Sequence, residues 1–190
     1  MELFMNTRLK IGMMILSKKA ARKKRAVSYS SFANVRSIGI VWDASKPQEF
    51  VNLSRFHQKM LENKIDVKIF GYFPGKNLPD QYTAIRYLTC IRKDEVTSFY
   101  HPDSSETNSF INNPFDILID INFDKMFPLH YVTTLSKARF KVGLSGSESS
   151  DSPFDLMLEI KKPVDIDSYL TQVIHYLEMI KDKSIKTVDK

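Results

Sequence analysis

Apolar positions along this chain fall into two alternating rhythms, short continuous runs and stripes of helical period, and the alternation predicts strands and helices in turn. The run SIGIVWD, Ser37 to Asp43, is short, apolar and β-branched, which marks a first strand. A helix start follows at once. Ser45 with Gln48 three residues on reads as a capping box, Pro47 suits a first turn, and Phe50, Leu53, His57, Met60 and Leu61 hold one helical face. IDVKIFGYF then returns as the second strand, PGKNLPD is a loop, and YTAIRYLTCIRKD is a third strand or strand pair.

The second half repeats the rhythm after HPDSSETNSFINNP, a linker with room for one helical turn. FDILIDINF predicts a strand and Phe127 to Lys137 a short helix, with Pro128 tolerated because it lies in the first turn. RFKVGLS is the next strand, SGSESSDSP a polar loop, and FDLMLEI a last strand closed off by KKP. Ile166, Tyr169, Leu170, Val173, Ile174, Leu177 and Ile180 share one stripe of a final helix that Asp165 can cap. The order of elements specifies an α/β fold: a single Rossmann-like open, mostly parallel sheet flanked by helices, with a basic N-terminal arm. Its expected divisions are an arm at 1–35, helical or disordered, the domain at 36–182 and a polar tail at 183–190.

Composition bounds the picture without changing it. With 190 residues, 43% hydrophobic and 26% charged, the chain is sized for one globular domain that needs no metal or disulfide staple. Cys90, its single cysteine, has no intramolecular partner and reads as a small buried hydrophobe, which favours a reducing, cytoplasmic compartment.

Charge does change it. Met1 to Arg36 carries nine Lys and Arg against Glu2 alone, a balance of +8, while the remainder carries nineteen against twenty-one, a balance of −2. The excess centres on SKKAARKKRAVSY, where Lys18, Lys19, Arg22, Lys23, Lys24 and Arg25 fall within one short stretch. The apolar IGMMIL precedes this cluster, the reverse of a secretory signal, and is too short to span a bilayer. A segment positive all round is expected to stay off its own domain and to order on RNA or a ribonucleoprotein such as the ribosome, with Tyr29 and Phe32 available for stacking. Deletion of residues 1–34 is then expected to leave a folded domain. An alternative partner is an anionic membrane surface, with Leu3, Phe4, Met5, Ile11, Met13, Met14, Ile15 and Leu16 inserted and the basic cluster on headgroups.

A third function class, a small-ligand or nucleotide-sugar-related enzyme domain, would use the crevice outside the carboxyl ends of the strands, where Asp43, Asp120 and Asn122 fall. Asp43 and Asp124 also precede helices and can cap them. DINFD opens like a calcium loop, but Lys125 stands where that loop needs glycine, and the four histidines lack ligand spacing, so no metal is expected. GYFPGK lacks P-loop spacing, and G-x-S-x-G, HExxH and GxGxxG are absent, so no cofactor is expected either.

FDILIDIN, followed by a short helix and ARFKVGLSG, resembles a segment of the N-terminal Rossmann-like half of heptosyltransferase-type (GT-B) glycosyltransferases. Those enzymes hold the sugar donor chiefly in a second, C-terminal domain that has no counterpart here, so the resemblance implies architecture rather than transfer activity. The whole layout also resembles an uncharacterised α/β protein family of Bacteroidota.

Overall fold

The computed structural model describes residues 2–145, 152–160 and 165–180, with side chains from Asn6 onward. The predicted tail at 183–190, the KKP stop and most of the SGSESSDSP loop lie outside the described residues. Six strands form one sheet: β1 (Ser37–Asp43), β2 (Asp66–Phe73), β3 (Leu88–Arg92), β4 (Ile117–Ile121), β5 (Phe140–Leu144) and β6 (Leu156–Leu158). Their order is β3-β2-β1-β4-β5-β6 and every neighbouring pair is parallel. The register places Asp43 beside Tyr72 on one side and Val41 beside Asp120 on the other.

Among the described residues, five helices cover the two faces: α1 (Glu2–Ala21), α2 (Phe50–Glu62), α3 (Ser105–Asn112), α4 (Phe127–Leu135) and α5 (Ile166–Met179). Strand alternation sends Ile38, Ile40 and Trp42 toward α2 and α5, and Val41 toward α4, so the sheet separates two apolar cores. Asp165 caps α5 as read, its Oδ2 accepting from Ser168 N–H at 2.8 Å.

Four local readings need correction. Ser45 and Gln48 make no capping box, because the chain after β1 forms a 3-10 turn, Pro47–Glu49, before α2 begins. The third strand is only five residues long, bounded by 3-10 turns at Asp80–Tyr82 and Lys93–Glu95. The expected linker contains α3, where Ser104 Oγ accepts from Thr107 N–H at 3.1 Å and Thr107, Phe110 and Ile111 give a one-sided buried face. Helix α4 stops at Leu135, and its N-terminal partner is Asn122 rather than Asp124.

The strand beginnings are fastened by Asp116. Its Oδ2 accepts from Arg36 N–H at 2.9 Å, Ser37 N–H at 3.0 Å and Ser37 Oγ–H at 3.2 Å, while Arg139 reaches Oδ1 at 3.1 Å. One carboxylate thus ties the first residues of β1 to β4 and β5. Truncation to Asp116→Ala leaves two backbone N–H groups without acceptors, and should lower unfolding free energy by about 2–3 kcal/mol in urea titration.

Candidate nucleic-acid interface and strand-end crevice

The chain leaves β1 toward β2 and leaves β4 toward β5, so the reversal of direction, where such sheets hold ligands, lies between β1 and β4. Asp43, Asp120 and Asn122 all come to this point. Each is turned inward on the protein itself. Asp43 Oδ1 accepts from Ser45 N–H at 3.0 Å. Asn122 closes a ring with Met126, donating through Nδ2 to its carbonyl at 2.9 Å and accepting its N–H through Oδ1 at 2.7 Å. Lys46 and Asp124, from the loops after β1 and β4, pair at 3.3 Å across the same opening.

Asp120 sits one level deeper. Its Oδ1 accepts from Asn122 N–H at 2.8 Å and its Oδ2 from the Thr133 hydroxyl. Burial pushes its carboxyl up to about 6, against the pull of those two bonds and of Lys141. Lys141, buried on β5, donates to the carbonyls of Thr133 and Thr134 at 2.7 and 3.0 Å, and burial together with Arg25 brings its ammonium down to about 7. Below the crevice, Trp42 stacks on Phe50 with centroids 5.6 Å apart and meets the edge of Tyr82 at 5.3 Å, while Tyr169 packs against Phe123. Among the described residues, Trp42 Nε1 and Tyr169 Oη are the buried side-chain polar atoms with no partner, and no group of His, Cys, Asp or Glu is placed to hold a metal ion.

The arm behaves differently from its sequence expectation. Helix α1 lies against α4, burying Leu16, and packs so closely at Gly12 that a Cβ there would collide with the Phe99 carbonyl oxygen. Three of the six basic residues are drawn onto the domain. Lys19 Nζ donates to Tyr131 Oη at 2.7 Å, and Lys23 Nζ donates to the Leu135 carbonyl at the end of α4, where a cation also complements the helix dipole. Arg25 grips Asp155 through two bonds of 2.8 and 2.6 Å and reaches the Ala138 and Arg139 carbonyls, each at 3.2 Å. The expectation that a uniformly positive segment stays off its own domain therefore fails, because helix-end carbonyls and one carboxylate provide acceptors for it.

Tyr29 and Phe32 are corrected for the same reason. Tyr29 packs on Phe140 with ring centroids 4.9 Å apart and donates its hydroxyl to the Leu177 carbonyl at 2.6 Å; Phe32 packs against the α2/α5 core. Each ring is thus partly committed to its own domain.

Lys18, Arg22 and Lys24 remain exposed, with no hydrogen bond or ion pair among the described residues. Lys137, which the sequence reading passed over, joins them at the foot of β5. Burial lowers the Lys23 ammonium, and Lys137 and Lys19 lower it further, so these cations crowd one another. The alternation of Lys137 and Arg139 about buried Ala138 was the signal available in the sequence. Elsewhere on α1, Ile11, Met13 and Met14 are exposed, the last two at 49% and 60%, but no helix among the described residues is long and apolar enough to cross a membrane.

One open parallel sheet with helices on both faces and a reversal between its central strands defines a doubly wound, Rossmann-like α/β protein. Within that class the chain belongs to DUF6913, a family of unknown function, which matches residues 8–180 and so takes in the basic cluster together with the sheet. No curated protein matches the chain.

Proposed function

We propose that the protein is a non-catalytic, cytoplasmic binding module that takes up RNA, free or within a ribonucleoprotein, through phosphate contacts from its docked arm. The observation that carries this reading is the crowding of Lys19, Lys23 and Lys137 around one helix end, flanked by the unpaired Lys18, Arg22 and Lys24. Holding like charges together costs energy that a polyanion recovers by releasing its counterions. Docking fixes the cations in place, so the arm presents a preorganised surface rather than a chain that must be ordered on binding. Cys90 fits a reducing compartment, since burial pushes its thiol up to about 12 and leaves it unreactive.

The test is the salt dependence of single-stranded RNA binding. Joint replacement of Lys18, Arg22 and Lys24 by Gln should weaken affinity about tenfold or more at low salt and flatten the log–log slope by roughly 2, at about 0.7 per lost phosphate contact. Affinity indifferent to salt or to the triple change would remove the arm from the explanation. A second reading rests on exposed Ile11, Met13 and Met14 beside the same charges, a surface suited to anionic lipid. Flotation with anionic vesicles, abolished by Met13→Ser with Met14→Ser and untouched in RNA binding, would favour that reading instead.

A further inference from the structure

An open groove of about 350 Å³ lies between α3 and the outer strands β2 and β3. The Ile69 N–H donates to the Tyr87 carbonyl at 2.7 Å, which carries the β2–β3 pairing back to Lys68 beside Tyr87, and Arg86, the residue before Tyr87, lines the groove together with Lys68. Thr89, opposite Phe70 in the register, shares the sheet face of Lys68 and continues the floor. Glu106, Ser109 and Asn113 line the facing wall from α3. None of Lys68, Arg86, Thr89, Ser109 and Asn113 uses its side chain on another group among the described residues. Hydrogen bonds from its own N–H and from the Ser104 and Ser105 hydroxyls keep Glu106 ionised. Two cations and a carboxylate thus line one groove together with uncommitted hydroxyl and amide groups.

We infer that this groove is a nucleotide subsite, in which Lys68 and Arg86 hold a phosphate and Glu106, Ser109 and Asn113 read the edge of an unstacked base. The inference deepens the RNA reading and rests on it for the source of the nucleotide. The volume falls in the range of small-ligand pockets, and the polarity of the groove matches a ligand that carries an anion at one end and N–H donors at the other. An ionised Glu106 accepts from an exocyclic amino group, as on cytosine, whereas the uracil O4 at that position would face it with a lone pair. The arm supplies sequence-independent attraction; the groove adds base preference, since unpaired single strands are read on their exposed edges.

The experiment titrates the full chain with the four ribonucleoside 5′-monophosphates, followed by amide NMR shifts, and with oligo(C) and oligo(U) strands, followed by anisotropy. Expected are shifts at Lys68, Thr89 and Ser109, preference for cytidine over uridine by about fivefold or more, and loss of that preference in Glu106→Gln. Lys68→Gln with Arg86→Gln should weaken the monophosphates while leaving base preference intact. If monophosphates fill the groove but long strands ignore the arm variants, the arm reading falls and the groove stands. If strands follow the arm variants while no monophosphate moves the groove amides, or cytidine and uridine bind alike, the groove proposal is overturned.

Discussion

Deleting residues 1–34 is expected to abolish cooperative unfolding, whereas deleting 1–21 leaves a folded domain weakened by about 2–3 kcal/mol. The shorter deletion removes α1 and the burial of Leu16, the scale of one apolar side chain. The longer one also strips Tyr29 from Phe140 and Phe32 from the α2/α5 core, leaving the Leu177 carbonyl without its partner. Both rings are half-buried, so each costs toward the low end of the about 3–5 kcal/mol of a core aromatic, and the two together with the lost Arg25–Asp155 pair equal much of the stability of an ordinary domain. Thermal melts of both truncations decide it. A cooperative transition in the longer one would return the arm to the status of a detachable tail, as the sequence alone led one to expect.

The second large effect is electrostatic and has the opposite sign. Asp120→Asn should stabilise the protein by about 1–3 kcal/mol near pH 8, with RNA affinity unchanged. The folded carboxyl titrates at about 6, above its ordinary 3.8, so the native state disfavours the charged form. That penalty is absent below the unfolded value, grows as pH rises from about 4 to 6, and is complete above it. Asparagine keeps an acceptor for Asn122 N–H and can donate to the Thr133 oxygen, and carries no charge to desolvate. Denaturant titrations of both proteins across pH should show the natural chain losing stability over that interval and the variant staying level. A variant less stable at every pH would mean that the bonds from Thr133 and Asn122 need a charged acceptor and outweigh its burial.

The elements read most clearly from the sequence were those with a long or strictly periodic buried pattern. β1 and β4 are buried almost throughout, β2 is largely buried beyond its exposed Asp66 and Lys68, and α5 buries one stripe with a side-chain cap written into Asp165. β3 and α3 were harder because each buries only two or three residues and their bounding turns carry no glycine signal. The left-handed residues Lys64, Ala84, Tyr100 and Lys125 are all non-glycine, so turns occur where local chemistry does not announce them.

Of the candidate sites, charge density was legible and its disposition was not. Lys19 meets Tyr131, Lys23 meets Leu135 and Arg25 meets Asp155, each pair more than a hundred residues apart along the chain. Two of those acceptors are a phenol and a backbone carbonyl, which leave no charge complement for a reader to match. The groove beside α3 was invisible for the same reason, since its lining comes from three separated stretches and no stretch has the spacing of a motif. Asp43, Asp120 and Asn122 were placed at the right end of the sheet, but only three-dimensional packing shows that Asp120, Asn122 and one oxygen of Asp43 are already engaged.

Trp42 gives the molecule a built-in optical reporter. It is the sole tryptophan of the chain, has no exposed surface, and sits at the carboxyl end of β1 between Phe50 and Tyr82 with its indole N–H unpaired among the described residues. An indole in so apolar a cage emits at short wavelength, and its emission moves to the red when water or a polar ligand reaches it. Because Trp42 lies under the reversal between β1 and β4, unlabelled fluorescence separates events in that crevice from events at the distant arm and α3 groove. Binding that leaves the emission unmoved belongs to the surface, and binding that shifts it has opened the centre of the sheet.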